Sequence, residues 1–387
     1  METIISTDKQ YVAGTYGRFP VELVSGKGSI LTGSDGKEYI DMGSGIGVTS
    51  FGIADDTWLA AVTAQAARLQ HTSNLYFTEP CANLAKALCE KTGMKKVFFS
   101  NSGAEANECA IKVARKYSAE KKGADCYTVI TLENSFHGRT LTTLSATGQD
   151  HYHELFQPLT PGFTHVKAND VQALEEKVAA VNPAAIMLEC VQGEGGVIPL
   201  TAAFVQAAAK LAKEQDIPLI IDEVQTGNGR TGKFYAYMHY GIAPDIVSTA
   251  KGLGGGLPIG ATLLSEKVQN VLGPGDHGST YGGNPVCCAG ALTVVSRMDE
   301  AFLDQVKTKS DYVFSQLTGA EGVEAVTGMG LMIGIKTEKP AKDVVAACME
   351  NGVLCLTAKD KVRLLPALNI PMEALEKAVA VIKAACK

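Results

Sequence analysis

The sequence predicts an α/β protein with one large, doubly wound, mostly parallel sheet domain and a smaller α+β domain built from the two ends of the chain. Apolar runs of strand length recur through the middle of the chain, with helical segments between them. The runs are continuous rather than alternating, which is typical of strands buried on both faces, as in a parallel sheet covered by helices. The two ends lack this pattern and carry shorter elements, which favours a separate, smaller domain.

The strands of the predicted large sheet follow one another along the chain. They are KVFFS from residue 96, YTVITL from 127, AAIMLEC from 184, PLIIDEV from 218, DIVSTA from 245 and ATLLS from 261. Between them, apolar residues at helical spacing predict a helix over 103–122 that ends at Gly123. An alanine-rich helix is predicted over 203–215, before Pro218. These elements place the large domain at residues 46–287.

The segments 1–45 and 288–387 are predicted to form the smaller domain together. Residues 28–45 have the pattern of short strands joined by a turn at Asp35-Gly36, and the tail alternates helices with short strands. Neither segment contains enough apolar residues to fold easily alone. We therefore expect the two segments to pack against each other.

Composition and charge restrict the class of protein. The chain has 387 residues, of which 46% are hydrophobic, and a net charge of −6. An acidic chain argues against nucleic acid or an anionic membrane as the main partner, because both require clustered Lys and Arg. No apolar run approaches the ~20 residues of a membrane span, and METIISTDKQ lacks the apolar region of a signal peptide. These features predict a cytoplasmic protein.

The ten cysteines and seven histidines do not suggest a metal site. The cysteines are spread evenly and several lie inside apolar runs, which favours buried free thiols in a reducing compartment. The sequence contains neither C-x-x-C nor H-x-x-x-H. We therefore expect no metal.

Polar or glycine-rich residues follow the predicted strands at one end. In open α/β sheets, ligands bind beyond the carboxyl ends of the strands. The residues found there are NSGAEAN after KVFFS, ENSFHGRT after YTVITL, VQGEGG after AAIMLEC, Asp222 and Gln225 in PLIIDEVQTG, and Lys251 after DIVSTA. Ser102 opens the helix that follows the first of these strands, with the S-x-x-E spacing of a capping box. The small Gly103 and Ala104 leave backbone N–H groups accessible to a phosphate.

The segment 227-GNGRTGKF-234 matches two nucleotide-binding patterns imperfectly. GNGRTG fits G-x-G-x-x-G, and the whole segment fits a Walker A loop except that Phe234 replaces the Ser or Thr that would bind magnesium. The segment follows DEVQT rather than passing directly from a strand into a helix. An NTP-dependent enzyme that uses this loop is therefore a remote alternative.

An acid on a buried strand, a lysine at the end of the next strand and a phosphate cradle upstream are the parts that hold pyridoxal phosphate. The Lys251 amine would form a Schiff base with the cofactor aldehyde. The Asp222 carboxylate would keep the pyridine nitrogen protonated, so that the ring can accept electrons from a carbanion.

Longer segments resemble the signature motifs of the class III, pyridoxal-phosphate-dependent aminotransferases. They are NSGAEANECAIKVARKY, NSFHGRT, ECVQGEGGV, IDEVQTGNGRTG, AKGLGGGLPIGA and HGSTYGGNP. The likeness runs from YVAGTYGRFPV near the N-terminus to VRLLPALNI near the C-terminus. It implies a fold-type I transferase that forms a homodimer with active sites shared at the subunit interface.

The resemblance implies roles for particular residues at the cofactor. Lys251 would be the Schiff-base lysine and Asp222 the partner of the pyridine nitrogen. The other implied contacts are Gln225 near the phenolic oxygen, Val224 under the ring, Phe136 on its other face, Ser102 with the N–H groups of Gly103 and Ala104 at the phosphate, and Thr280 at the phosphate of the neighbouring subunit's cofactor, with Ser279 beside it at the substrate.

The resemblance also implies a substrate site. Arg139 in FHGRT matches an arginine that holds a substrate carboxylate, and Arg363 in VRLLPALNI matches a second one. Glu194 in QGEGG matches a glutamate that pairs with Arg363, and Tyr16 in TYGRFP matches an aromatic residue of the substrate pocket. Ordinary salt bridges for the arginines and a core position for Tyr16 remain alternatives.

The implied activity is a two-step amino transfer between small molecules in arginine biosynthesis. The terminal amine of N-acetylornithine would pass to 2-oxoglutarate, giving N-acetylglutamate semialdehyde and glutamate. Ornithine, succinylornithine, 4-aminobutyrate and N-succinyl-diaminopimelate are alternative amino donors. A semialdehyde aminomutase of the same fold is a more distant alternative.

Overall fold

The computed structural model describes residues 3–387, and its largest feature is a seven-stranded sheet, called here the large sheet. Its strands, in spatial order, are Lys96–Ser100, Gly260–Leu264, Ile246–Thr249, Leu219–Asp222, Ala185–Leu188, Val129–Leu132 and Phe163–Val166. Gly260–Leu264 runs antiparallel to both neighbours, and every other neighbouring pair is parallel. The prediction of a mostly parallel sheet is confirmed.

Both faces of the large sheet are buried, as the continuous apolar runs predict. Ile186 and Leu188 belong to one hydrophobic core, whereas their neighbours Ala185 and Met187 belong to the core on the opposite face. Side chains of a strand alternate between its two faces, so a strand covered on both sides carries mostly apolar residues at successive positions. The strand Phe163–Val166 was not predicted, because FTHV lies at the sheet edge, is short and contains two polar residues.

Helices surround the large sheet and the two ends of the chain. The helices of six or more residues are Ile4–Tyr11, Asp56–Arg68, Glu79–Thr92, Gly103–Lys122, Leu141–Ala146, Val171–Val181, Ala202–Glu214, Pro285–Ser296, Glu300–Leu317, Ala341–Glu350 and Met372–Cys386. Gly103–Lys122, called here the long helix, packs across four strands of the large sheet. The predicted helices at 103–122 and 203–215 agree with the observed bounds within one residue.

The N-terminal and C-terminal segments meet in a second sheet. The strands Leu23–Lys27, Ile30–Gly33 and Glu38–Asp41 form an antiparallel meander, and Val353–Leu354 from the tail pairs in parallel with the last of them. The tail also forms an antiparallel sheet of its own, with strands Val323–Met329, Met332–Thr337, Lys361–Leu364 and Leu356–Ala358 in spatial order.

The division into domains at 1–45, 46–287 and 288–387 remains a prediction. Its first two residues lie outside the described part of the chain. The pairing of Glu38–Asp41 with Val353–Leu354 agrees with the expectation that the two ends pack together.

The segment 227–232 is a turn that anchors the C-terminal segment to the large sheet. Arg230 is buried, and its Nη1 donates hydrogen bonds to the carbonyl oxygens of Leu331, at 3.1 Å, and Pro366, at 2.6 Å. Phe234 is also buried. A phosphate loop presents its backbone N–H groups to a ligand. In this turn, the buried Arg230 side chain instead binds carbonyl groups of the C-terminal segment. The geometry does not favour the nucleotide-binding alternative.

The state of the cysteines and the character of the helices were also predicted from the sequence and can be compared with the structure over residues 3–387. In this range all ten cysteines are free and eight are buried, as predicted. Over the same range, no helix has the length and apolar character needed to cross a membrane.

Candidate active site

A cavity of about 500 Å³ lies where the parallel strands of the large sheet end. Sequence-predicted residues from five connections line it: Ser102, Gly103 and Ala104; Phe136 and Arg139; Glu194; Asp222, Val224 and Gln225; and Lys251. A cavity of this size suits a small molecule or cofactor. The structure therefore brings most of the predicted site together at one edge of the sheet, as the carboxyl-end rule requires.

The Asp222 carboxylate is buried at the end of its strand and held by three donors. Oδ2 accepts a hydrogen bond from Asn107 Nδ2 at 2.8 Å and lies 2.8 Å from His137 Nδ1. Oδ1 accepts one from the backbone N–H of Val224 at 2.9 Å. Asp222 is 3% exposed, and a buried polar group needs such hydrogen-bond partners. These contacts fix its orientation in the cavity wall.

His137 and Asn107 are buried partners of Asp222 that the sequence did not predict. Burial by itself would lower the pKa of His137, but its hydrogen bond to Asp222 and the charges of Asp222 and Glu189 outweigh this effect and raise the pKa. Among the described residues, His137 Nε2 has no hydrogen-bond partner. Asn107 lies one turn into the long helix and also donates to the carbonyl oxygen of His137. The sequence signal that could have identified them is their place in two motifs, NSFHGRT for His137 and NSGAEAN for Asn107.

Lys251 follows the strand Ile246–Thr249 and its side chain lines the cavity. Its backbone φ is +42°, a left-handed conformation that costs a non-glycine residue roughly 1–2 kcal/mol. Burial is the largest influence on its amine and lowers the pKa of Lys251, against the opposing charge of Glu194. A lysine with a lowered pKa has a larger fraction of neutral amine, the form that acts as nucleophile and proton acceptor, near neutral pH.

The start of the long helix has the geometry expected of the predicted phosphate cradle. Ser102 is the N-cap, and its side chain accepts a hydrogen bond from the Glu105 N–H at 3.2 Å. The first intrahelical bond runs from Ala106 N to Ser102 O, so the Gly103 and Ala104 N–H groups precede it. A Cβ on Gly103 would lie 2.6 Å from Val224 Cγ1, so only glycine allows this close approach.

The buried Arg363 forms a partly buried ion pair with Glu194, which lines the cavity. Arg363 Nη1 lies 2.5 Å from Glu194 Oε1 and 3.3 Å from Gln225 Oε1, and Gln225 Nε2 donates to Glu194 Oε1 at 3.3 Å. Although burial raises the pKa of Glu194, the charge and hydrogen bond of Arg363 outweigh it and hold the pKa below its ordinary value. Gly193 permits this packing, because a Cβ there would meet Gln225 Oε1 at 2.1 Å.

Arg139 stands at the cavity without an ionic partner. Within residues 3–387 its guanidinium makes no ion pair or hydrogen bond, and it lies over the rings of Tyr152, at 4.9 Å, and Phe136, at 5.8 Å. A free guanidinium at the cavity rim can take a carboxylate in a bidentate pair. Tyr152 did not enter the sequence reasoning, because its loop carries no motif signal.

A second buried acid, Glu189, joins two connections that line the cavity. Its Oε1 accepts the Phe136 N–H at 2.9 Å, and burial raises the pKa of Glu189 to about 7. It therefore ties the segment that carries Phe136 and Arg139 to the one that carries Glu194. The sequence reasoning missed it, because a single acid after a strand has no distinctive spacing.

Four predicted residues do not line this cavity within a single chain: Arg363, which contacts it through Glu194 and Gln225, and three others. Ser279 reaches its edge, since Asn101 Nδ2 donates to Ser279 Oγ at 3.1 Å. Thr280 lines a separate cavity of about 270 Å³ with Tyr76 and Phe77. Tyr16 is 73% exposed and lines a third cavity, formed by the N-terminal segment. The roles assigned to these three residues remain predictions.

Comparison with protein families identifies the kind of site. The model of the family described as aminotransferase class III matches residues 11–386. Curated proteins named acetylornithine aminotransferase are similar to the chain over nearly their full length. The one from Haemophilus ducreyi is 51% identical, with 98% of each chain covered, and the one from Methanocaldococcus jannaschii is 44% identical, with 97% of this chain and 96% of the relative covered.

Solved structures agree with the fold. The ornithine aminotransferase from Toxoplasma gondii has a TM-score of 0.93 at 34% identity, covering 99% of this chain and 94% of the other. The N-acetylornithine aminotransferase from Stenotrophomonas maltophilia has a TM-score of 0.86 at 33% identity, covering 99% and 98%. The predicted fold-type I architecture is thereby confirmed.

Proposed function

The chain belongs to the class III aminotransferases, and from this premise we propose that it transfers the terminal amino group of N-acetylornithine to 2-oxoglutarate. The products are N-acetylglutamate semialdehyde and glutamate, and the reaction is reversible. The observation that carries the proposal is the cavity lined by Lys251, Asp222 and the free guanidinium of Arg139, with a second guanidinium, on Arg363, masked by the lining residue Glu194.

The cavity fits pyridoxal 5′-phosphate, on which this family depends. We assign Asp222 to the ring nitrogen, Val224 and Phe136 to the ring faces, and Gln225 to the ring oxygen. Gly103 and Ala104, with Ser102, offer N–H and hydroxyl groups to the phosphate. The fit rests on the oriented Asp222 carboxylate and on Gly103 at the helix N-terminus, whose lack of a side chain lets the backbone approach Val224 closely. When bound, this cofactor supplies an aldehyde that condenses with amines and a ring that accepts electrons from the substrate carbon.

Lys251 is assigned the proton transfer. Its amine lines the cavity, and its lowered pKa allows it to take a proton from the substrate carbon that bears the amino group and to return one later. Asn107, His137 and Val224 donate to the two oxygens of Asp222 and fix the carboxylate in the place where it is assigned to hold a positive charge.

The two arginines explain how one cavity accepts two different substrates. N-Acetylornithine enters by its terminal amine, so no carboxylate lies next to the reacting carbon, and Glu194 neutralises Arg363 there. Glutamate and 2-oxoglutarate carry an α-carboxylate, which can replace Glu194 on Arg363. Arg139 then holds the distal carboxylate. The exchange replaces one ion pair with another and therefore costs little.

Ornithine is the second candidate donor, because a solved ornithine aminotransferase has the same fold. The higher identity to relatives named for acetylornithine, up to 51% against 34% for that structure, supports the acetylated substrate. Both donors present the same terminal amine to Lys251, so the difference lies in the group at the α-nitrogen.

We also propose a homodimer in which Thr280 reaches the phosphate of the partner's cofactor, with Ser279 beside it and Tyr16 near the substrate. Exposed apolar side chains surround Thr280: Leu75, Tyr76, Phe77 and Tyr281 are each more than 60% exposed. A patch of this kind is typical of a surface that another protein covers. Free, mostly buried thiols support the cytoplasmic location predicted above.

Steady-state kinetics with purified holoenzyme test the substrate. N-Acetylornithine and ornithine are compared as donors to 2-oxoglutarate, with the aldehyde product trapped and quantified. A higher kcat/KM for the acetylated donor supports the proposal. A higher kcat/KM for ornithine would make ornithine the donor in place of N-acetylornithine. The absence of amino transfer from both donors would overturn the proposed function.

A further inference from the structure

Arg139 is positioned at the cavity by aromatic rings rather than by acids. It is exposed, and among residues 3–387 no carboxylate or carbonyl group binds its guanidinium. A long, exposed arginine samples many rotamers, and binding a carboxylate in one geometry costs the entropy of the others. Whatever restricts the side chain before the substrate arrives therefore improves carboxylate binding.

The Tyr152 ring is the closer of the two contacts. The guanidinium carbon of Arg139 lies 4.9 Å from the Tyr152 centroid and 5.8 Å from that of Phe136. The two rings meet edge to face, with centroids 5.8 Å apart and an interplanar angle of 66°. Arginine stacks on aromatic faces and keeps its edge N–H groups free for a bidentate acceptor.

The turn that carries Tyr152 is fixed to the same connection as Arg139. Tyr152 N donates to Gln149 O at 3.1 Å, and Gln149 Nε2 donates to the buried Ser135 O at 3.0 Å. The next residue, His153, is buried with its Nε2 2.9 Å from Leu144 O. The ring therefore has a defined place relative to Phe136 and Arg139.

We propose that Tyr152 is a positioning residue: its ring holds Arg139 in the orientation that receives a substrate carboxylate. This inference rests on the carboxylate-binding role of Arg139 in the proposed function. It assigns Tyr152 no contact with the reacting atoms. The aromatic ring, rather than the hydroxyl group, makes the contact with Arg139. Phe can therefore replace Tyr152, whereas an aliphatic side chain cannot.

The test measures binding of glutarate, an unreactive dicarboxylate, to the holoenzyme by titration calorimetry. Tyr152→Leu is expected to raise the Kd about two- to fivefold, the range of a partly exposed cation–π contact. Tyr152→Phe should bind as the wild type does. Tyr152→Gln, expected to behave like Tyr152→Leu, is the second variant if leucine unfolds the turn.

Tyr127→Leu is the matched control, because the Tyr127 ring also lies beside an arginine, Arg115, at 6.0 Å, outside the residues that line the cavity. This substitution should leave the Kd of glutarate unchanged. In an Arg139→Met background, Tyr152→Leu should produce no further loss, since the two side chains act through one contact.

Four results would overturn the assignment: no weakening in Tyr152→Leu and Tyr152→Gln, equal weakening in Tyr152→Phe, an undiminished effect of Tyr152→Leu in the Arg139→Met background, or failure of the wild type to bind glutarate. Because glutarate does not react, its binding reports on the positioning role of Tyr152 separately from the proposed amino transfer. Failure of the proposed function can therefore be distinguished from failure of this inference. It would appear as absent or altered amino transfer in the wild type while this pattern of binding persists.

Discussion

Removing the Glu194 carboxylate should change which amine the enzyme accepts. Arg363 is 3% exposed, and its Nη1 has the Glu194 carboxylate at 2.5 Å and the Gln225 amide oxygen at 3.3 Å. Its Nε has no partner among the described residues. Glu194→Ala therefore leaves a buried cation with one neutral acceptor, facing a cavity that a substrate carboxylate can enter.

The size of the effect follows from this contact. A hydrogen bond between charged groups contributes roughly 1.5–3 kcal/mol, which corresponds to about 10- to 100-fold in an equilibrium. In the Glu194→Ala variant, an α-carboxylate no longer competes with Glu194 for Arg363. The ratio of kcat/KM for α-amino donors to that for terminal-amine donors should rise by about this factor. Arg363→Ala should instead impair the glutamate half-reaction more than the N-acetylornithine one.

Single-turnover kinetics of each half-reaction measure the two effects separately. Each donor is mixed with enzyme in the absence of the acceptor, and the absorbance of the cofactor is followed. Arg297→Ala is the control, because Arg297 forms a partly buried ion pair with Asp55 at 2.9 Å, outside the cavity lining. It should affect both half-reactions equally or neither.

Equal losses in both half-reactions for Arg363→Ala, together with an unchanged amine preference in Glu194→Ala, would refute the reasoning. The pair would then be a structural salt bridge. Loss of folding is checked by thermal unfolding, since breaking a buried pair can cost about 3–5 kcal/mol of stability.

Three further predictions concern the proton, the subunit interface and pH. Lys251→Ala should lower the rate of proton transfer by on the order of 10²–10⁴ in single turnovers, and a near wild-type rate would exclude Lys251 as the base. Dimers that combine one Thr280→Ala chain with one Lys251→Ala chain should contain one intact site and one doubly impaired site. About half of the wild-type activity is expected from purified mixed dimers, and its absence would argue against shared sites. Burial raises the pKa of Glu189 from 4.5 to about 7, so the native state binds the extra proton between these values and loses stability as the pH rises through them. Urea unfolding of the holoenzyme at pH 5 and at pH 7.5 measures this loss. The free energy of unfolding should decrease between these pH values by more in the wild type than in Glu189→Gln, with a difference on the order of 3 kcal/mol at most. Identical decreases in the two proteins would contradict the raised pKa of Glu189.

The positions of the main chemical groups were predictable because they follow local rules. A strand buried on both faces favours a continuous apolar run with at most small hydroxyl side chains such as Thr131 and Ser248, so a charged residue is expected only where the run stops. Asp222 and Lys251 stand at such ends, and Ser102, Gly103 and Ala104 open a helix with a recognisable cap. Each of these signals lies within a few residues of chain.

The partners of those groups depended on the tertiary structure. Asn107 reaches Asp222 from 115 residues away, and Glu194 lies 169 residues from Arg363. Hydrophobic periodicity indicates that a strand is buried but not which strands are its neighbours. It therefore could not predict that these side chains contact each other.

The sequence by itself therefore determined the class of fold, the edge of the sheet where the site lies and several of its charged residues, among them Asp222, Lys251 and Arg139. The tertiary structure alone decided the strand order, the edge strand Phe163–Val166, the donors around Asp222, the raised pKa of Glu189 and the ring of Tyr152 under Arg139. The physical reason is that burial and cation–π contacts are set by all the groups that surround a side chain in space, and most of those groups come from distant parts of the chain.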